Sequence, residues 1–192
     1  MGWVRVAIDG VDAAGKTTFA DELAAALVAQ GRVVVRASVD GFHHTRRRRH
    51  HRGRGSWEGF WLDAFDYQQL QDPLQPGGSG RYRSAVHDLA TDQRLDLPYE
   101  QASPGAILLL DGVFLHRDEL VDSWDLSIFL EVPFGISVAR MAARDGTYSS
   151  PDAASVQRYV QAQRHYLTTS SPHTCASLVI DNSDLERPVL LV

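Results

Sequence analysis

The stretch Gly10-Val11-Asp12-Ala13-Ala14-Gly15-Lys16-Thr17-Thr18 constrains this chain more than any other. It satisfies G-x-x-x-x-G-K-S/T at every fixed position and lies between an apolar run and a helical pattern. Such a loop requires a strand that delivers the backbone to a sharp turn and a helix that carries it away. Its glycines let backbone N–H groups converge on phosphate oxygens, and the helix N-terminus adds partial positive charge. The candidate nucleotide-binding residues are therefore Gly10, Asp12, Ala13, Ala14, Gly15, Lys16, Thr17 and Thr18. Lys16 is suited to neutralise the β- and γ-phosphates, and the Thr17 hydroxyl to ligate Mg²⁺.

The rest of the chain repeats the same strand–helix grammar. Apolar runs at residues 3–9, 33–38, 106–111, 126–131 and 176–181 predict five strands. Residues 16–30 predict a helix with Phe19, Leu23, Leu27 and Val28 on one face and Gly31 as its stop. Further helices are predicted at 135–144 and 153–167. This alternation implies an α/β fold, a three-layer arrangement with a five-stranded parallel sheet flanked by helices. No repeat or low-complexity linker divides residues 1–192, so one domain is expected. Residues 41–105 form a long insertion rich in Gly, Pro, Arg and aromatics, read as an acceptor-binding flap. Residues 140–160, with their disorder-prone Gly146-Thr147-Tyr148-Ser149-Ser150-Pro151, suit a closing lid.

Charge and cysteine usage narrow the function. The net charge of −5 conceals a basic island: residues 41–60 carry six arginines and one glutamate, so the remainder is net −10. A nucleic-acid binder is normally basic over a whole face, whereas a local island fits an anion site or a solvated loop. No nucleic-acid partner is expected. The single cysteine, Cys175, excludes an internal disulfide framework and a cysteine-based metal cluster. No apolar run approaches the length that spans a bilayer, and the first residues carry no signal-peptide pattern. No membrane partner is expected, and the reading is cytoplasmic. Nothing in the sequence sets the oligomeric state, so a homo-oligomer stays open.

Two acids stand where chemistry is expected. In an open parallel sheet, ligands bind outside the carboxyl ends of the strands. Asp40 lies just past the second strand, where a carboxylate can accept the proton of an attacking hydroxyl. Asp111 closes the third strand beside the phosphate loop, the usual place of the carboxylate that supports Mg²⁺. Arg140 and Arg144, four apart on a helix, share a face and can close over transferring phosphates. No N-K-x-D-type base-reading segment is found, which favours a kinase over a GTPase switch.

These motifs together resemble the uridine kinase and phosphoribulokinase family of P-loop kinases. Ser38-Val39-Asp40-Gly41-Phe42-His43 resembles the family's D-S-F-H/Y segment, with Gly41 in place of Ser, which implies Asp40 as catalytic base and Lys16, Arg140 and Arg144 around the moving phosphate. Asp63-Ala64-Phe65-Asp66 resembles P-D-A-F-D, which implies that Asp63 holds ribose hydroxyls. Leu110-Asp111-Gly112 resembles the E-G segment closing strand three. The resemblance implies ATP and Mg²⁺ as cofactors and a small-molecule hydroxyl as acceptor, with Asp40, His43, Asp63 and Arg158 as substrate-binding candidates. His87-Asp88-Leu89-Ala90-Thr91-Asp92 departs from the base-gripping Y-D-F-x-x-H, and Arg158-Tyr159 replaces a glutamine–tyrosine pair. A nucleoside acceptor is the leading expectation. A sugar phosphate or other small alcohol such as pantothenate or ribosylnicotinamide is the alternative, because His43 and the arginines behind it are placed as in phosphoribulokinases. A non-catalytic nucleotide-binding module or NTPase is the reading from another class.

Overall fold

The computed structural model describes residues 3–71, 74, 80–146 and 150–191. In chain order the elements are β1 (Val4–Gly10), α1 (Lys16–Ala29), β2 (Val34–Ser38), a 3-10 turn (Val39–Phe42), α2 (Arg46–Arg49), α3 (Trp57–Asp63) and α4 (Tyr67–Gln71). Four two-residue strands follow: β3 (Arg81–Tyr82), β4 (His87–Asp88), β5 (Gln93–Arg94) and β6 (Glu100–Gln101). The chain continues through β7 (Ile107–Gly112), a 3-10 turn (Val121–Ser123), β8 (Leu126–Glu131), α5 (Phe134–Asp145), α6 (Gln157–Thr169), α7 (Pro172–Cys175), β9 (Leu178–Asp181) and β10 (Val189–Leu190).

The main sheet runs β10-β9-β8-β1-β7-β2. β2, β7, β1, β8 and β9 pair in parallel, matching the five predicted strands, and the short β10 adds an antiparallel edge that the sequence pattern did not announce. The parallel strands read as continuous apolar runs because both faces are covered. Val6 and Ile8 of β1 and Leu109 of β7 pack toward Phe19, Leu23 and Leu27 of α1. Their neighbours Ala7, Leu108 and Leu110 face the other way, toward Phe60, Phe114 and Tyr166. This is the period-two alternation of a strand sorting side chains into two cores.

Three sequence expectations change here. Val28 lies off the buried stripe of α1 and is 57% exposed. α6 starts at Gln157 rather than 153, because residues 150–156 close as turns, with Ala153 N–H on Ser150 O and Val156 N–H on Ala153 O. Residues 147–149 of the expected lid lie outside the described residues. The third concerns the 41–105 insertion, several of whose described residues enter the core. Phe42, Phe60, Phe65 and Leu70 are buried. Phe60 and Trp61 meet Phe114 edge-on, with ring centroids 5.3 and 5.0 Å apart. The aromatics that the sequence placed in this segment therefore anchor it to the sheet.

Candidate active site

Two cavities meet at the carboxyl ends of β1, β2 and β7. The larger, about 350 Å³, is lined by the phosphate loop with Asp40, Asp111, Arg140 and Arg144. The smaller, about 210 Å³, runs from Asp40 under His43, Arg49, Phe60 and Tyr159. Asp12, Asp40 and Val113 border both.

The floor of the larger cavity is set by the turn into α1. Gly15 takes the N-cap position at φ 93°, in the left-handed region, and a Cβ there would lie 2.7 Å from Asn182 Nδ2. Among the described residues no side chain caps α1, and no acid stands in its first turn, so the N-terminal N–H groups suit an external anion. The buried Asn182, just past β9, fixes the loop from below by donating Nδ2 to Ala14 O at 2.7 Å. Asp9 fixes it from behind: Oδ1 accepts from Gly10 N–H at 2.7 Å, and Oδ2 takes the Leu115 N–H, His116 Nδ1 and the Tyr166 hydroxyl. Sequence reasoning missed both residues. Asp9 has a local signal, an acid directly before the loop glycine, whereas Asn182 has none.

The residues expected to serve phosphate and metal come together. Lys16 Nζ rests on Val11 O at 2.8 Å. The Thr17 hydroxyl donates to Asp111 Oδ2 at 2.8 Å, while Asp111 Oδ1 accepts from Arg36 at 2.9 Å. A hydroxyl beside a carboxylate is a hard-oxygen pair of the kind Mg²⁺ prefers, so these residues fit that ion. Among the described residues no group of three or more His, Cys, Asp or Glu could hold a metal ion alone. Phosphate and water oxygens would have to complete a magnesium shell here. Arg140 donates through one terminal nitrogen to Asn182 O and Ser183 O at 3.0 and 2.8 Å. Its other terminal nitrogen is buried with no hydrogen-bond partner among the described residues, on a side chain that lines the larger cavity. Arg144 lines the same cavity and is held by Asp145 at 2.7 Å, the pairing that chiefly raises its basicity.

Asp40 sits in the 3-10 turn after β2, its N–H taken by Ser38 Oγ at 3.3 Å. Its carbonyl accepts from His43 Nδ1 at 2.8 Å, so the His43 ring is fixed by the turn it follows. Burial pushes His43 below its ordinary value, against the pull of the Asp40 carbonyl and carboxylate. Gly41 is demanded by packing: a Cβ there would stand 2.8 Å from Ser84 O and 2.9 Å from Ala85 Cβ. That contact explains glycine where the resembling motif carries serine.

The acceptor candidates separate. The 63–66 segment pairs by backbone with the 42–44 turn, through Asp66 N–H to Phe42 O and His44 N–H to Ala64 O. Ala64 and Phe65 line the smaller cavity, but Asp63 does not. The Asp63 carboxylate is instead engaged by Arg52 at 2.8 Å and lies 3.6 Å from His51. Arg158 does line the cavity, yet its terminal nitrogens are spent on the carbonyls of Arg49, Gly53, Arg54 and Ser56. It ties α6 to the loop between α2 and α3. The arginine run is split by α2: Arg46, Arg47 and Arg48 are exposed, while Arg49 turns into the cavity wall beside His50. Arg49 donates Nε to His44 O at 2.8 Å, and its terminal nitrogens make only a 3.7 Å ion pair with Asp92 among the described residues. Burial, then Arg158 and Arg49, hold His50 below its ordinary value.

A parallel sheet in this order, with a phosphate loop at β1 and two strand-end carboxylates beside it, defines a small-molecule P-loop kinase fold. Residues 6–170 match the model of the "Phosphoribulokinase / Uridine kinase family", and the chain belongs to that family. No curated protein matches it. Among solved structures it is similar to a Bacillus stearothermophilus protein described as a possible uridine kinase. The two share 26% identity over 93% of this chain and 89% of the other, with a TM-score of 0.73. A candidate fructose transport system kinase from Silicibacter sp. TM1040 is similar at 29% identity, over 87% and 85% of the chains, with a TM-score of 0.67. The phosphoribulokinase from Rhodobacter spheroides shares the fold at 16% identity, over 94% and 73%, with a TM-score of 0.60. Among the described residues no helix is long and apolar enough to cross a membrane.

Proposed function

We propose that this protein transfers the γ-phosphate of ATP to a hydroxyl of a small molecule, with Asp40 receiving the hydroxyl proton. The observation that carries this reading is the junction itself. A phosphate-binding cavity and a second, smaller cavity share one edge, and Asp40 stands on it. In the transfer, the acceptor oxygen bonds to the γ-phosphorus as the bridging P–O bond breaks, and that bond's electron pair leaves with ADP. The proton passes to the Asp40 carboxylate and then to water. Lys16, Arg140 and Arg144 would spread the charge of the moving phosphoryl group, which is most of the catalytic work in a loose transition state. Held by Thr17 and Asp111, Mg²⁺ would add neutralisation of the β- and γ-phosphate oxygens.

The acceptor reading shifts from the leading sequence expectation. A neutral nucleoside relied on Asp63 for its ribose, and that carboxylate is occupied by Arg52. Arg49 in the wall favours an acceptor that carries negative charge away from its reacting hydroxyl, such as a sugar phosphate. The similarity to a candidate fructose transport system kinase supports a sugar skeleton.

The test is ADP release with and without acceptor. Water is expected to be a poor acceptor, and one class of small alcohol should accelerate turnover at least about a hundredfold, the scale of positioning effects. Vigorous hydrolysis unaffected by nucleosides, sugars, sugar phosphates or pantothenate would make this protein an NTPase instead.

A further inference from the structure

Asp12 has a place that its membership of the phosphate loop does not explain. Its backbone N–H donates to Gln163 Oε1 at 3.1 Å rather than facing a phosphate. Its carboxylate Oδ2 accepts from Gln163 Nε2 at 2.6 Å. The Gln163 side chain, 2% exposed on α6, thus grips residue 12 at two points across 151 residues of sequence. A planar amide meeting both an N–H and a carboxylate fixes the side chain's direction as well as its position. The remaining oxygen, Oδ1, has no such partner among the described residues, and Asp12 borders both cavities.

Asp40 borders both cavities as well, so two carboxylates face the point where phosphate and acceptor meet. Side by side, two carboxylates destabilise each other unless something donates between them. Lys16 and Arg144 offset part of that charge, and burial with Asp40's proximity holds Asp12 above its ordinary value. An acceptor with two neighbouring hydroxyls would supply the missing donors. One hydroxyl gives its proton to Asp40 as it attacks, and the other donates a hydrogen bond to Asp12 without reacting. A single alcohol would leave the Asp12 oxygen facing the acceptor without that donor, which costs affinity.

We infer that Asp12, held by Gln163, is an acceptor-binding residue that selects polyols, reading a hydroxyl next to the one phosphorylated. This rests on the kinase reading above. It assigns Asp12 to the acceptor side and Gln163 as its positioning residue, and it makes the acceptor a sugar-like diol rather than a simple alcohol.

The experiment pairs each probe with a counterpart lacking one hydroxyl: ribose 5-phosphate with 2-deoxyribose 5-phosphate, and fructose with 3-deoxyfructose. ADP release is measured for wild type, Asp12→Asn and Gln163→Met, with melting temperature and KM for ATP as controls. Wild type should prefer at least one diol over its deoxy partner by about tenfold or more, the scale on which a site punishes a missing hydrogen-bond donor. Asp12→Asn should bring that ratio to within about twofold, mainly through the acceptor KM, while the KM for ATP stays within about twofold. Gln163→Met should move the same ratio part of the way, and it alone decides the outcome if Asp12→Asn does not fold. An unchanged ratio in the variants overturns the inference and leaves the kinase reading standing. So does a wild-type enzyme that uses deoxy acceptors as well as diols, or a KM for ATP that rises with the acceptor KM. A wild-type protein that phosphorylates nothing defeats the kinase reading first, and this inference with it.

Discussion

The proposed nucleotide half and the proposed acceptor half of this site differ in how they are built. The nucleotide half is nearly continuous: one loop and the first turn of α1 supply its floor, and two strand ends add Asp40 and Asp111. The acceptor half is gathered from the turn after β2, from α2, from α3 and the residues behind it, and from α6. Its cohesion comes from contacts over long sequence separations, such as Arg158 to Arg49 O across 109 residues. A half made of one segment tolerates little chemical change but needs little support. A half made of many segments has wider chemical latitude, and its support becomes part of its specificity.

The largest effect expected on that contrast is Lys16→Ala. It should abolish phosphotransfer, a loss of about a thousandfold or more on the scale of lost phosphate electrostatics. Without nucleotide the melting temperature should barely change, because among the described residues Lys16 Nζ makes one hydrogen bond, to Val11 O. The stabilisation by ATP should shrink, since ligand linkage depends on affinity for the folded state. Turnover near the wild-type rate would break the distinction between the halves outright.

Asp40→Asn comes next, at the shared edge. It keeps a hydrogen-bonding oxygen and loses the basicity, so kcat should fall by about a hundredfold while ATP affinity is nearly kept. Steady-state kinetics in both substrates separates the two. A variant within about threefold of wild type would move the proton acceptor elsewhere, with Asp12 the nearest alternative.

Within the acceptor half, Arg49 can be set against its neighbours. Arg49→Gln should raise the KM of an anionic acceptor by about tenfold, equivalent to about 1.4 kcal/mol. Replacing Arg46, Arg47 and Arg48 together by glutamine should leave it within about twofold, because exposed charges are largely screened. Equal effects from both variants would mean that a diffuse basic field attracts the acceptor. No effect from either would restore the neutral nucleoside.

The smallest effect concerns pH. Burial lowers His43, His44 and His50 from the ordinary 6.5, so below that value the unfolded chain binds more protons than the folded one. Stability is therefore full above about pH 6.5 and lost as pH falls toward the folded values. Asp12, raised mainly by burial, works in the opposite sense: its folded form holds a proton to higher pH, so acidification through that range favours folding. Stability should therefore fall as the pH drops below about 6.5. Thermal melts should show it, with a steeper slope in Asp12→Asn. A flat or rising melting temperature on acidification in Asp12→Asn as well would show that these histidines charge freely in the folded protein.

The sequence by itself determined the parallel sheet to within about two residues at each strand end, together with the phosphate loop, Asp40 and Asp111. These follow from signals carried by neighbours in the chain: apolar runs, glycines and a strand-to-helix turn whose order the phosphate chemistry dictates. Only the tertiary structure decided that Asp63 faces Arg52, that Arg49 leaves its exposed companions for the cavity wall, and that Arg158 is spent on backbone carbonyls. It also brought Gln163 to Asp12 and Asn182 under the loop. Each of these contacts joins a side chain to a partner that pairing and packing bring near. A hydrogen bond is fixed by position to a few tenths of an ångström, whereas residue spacing in the sequence specifies position only within one continuous element.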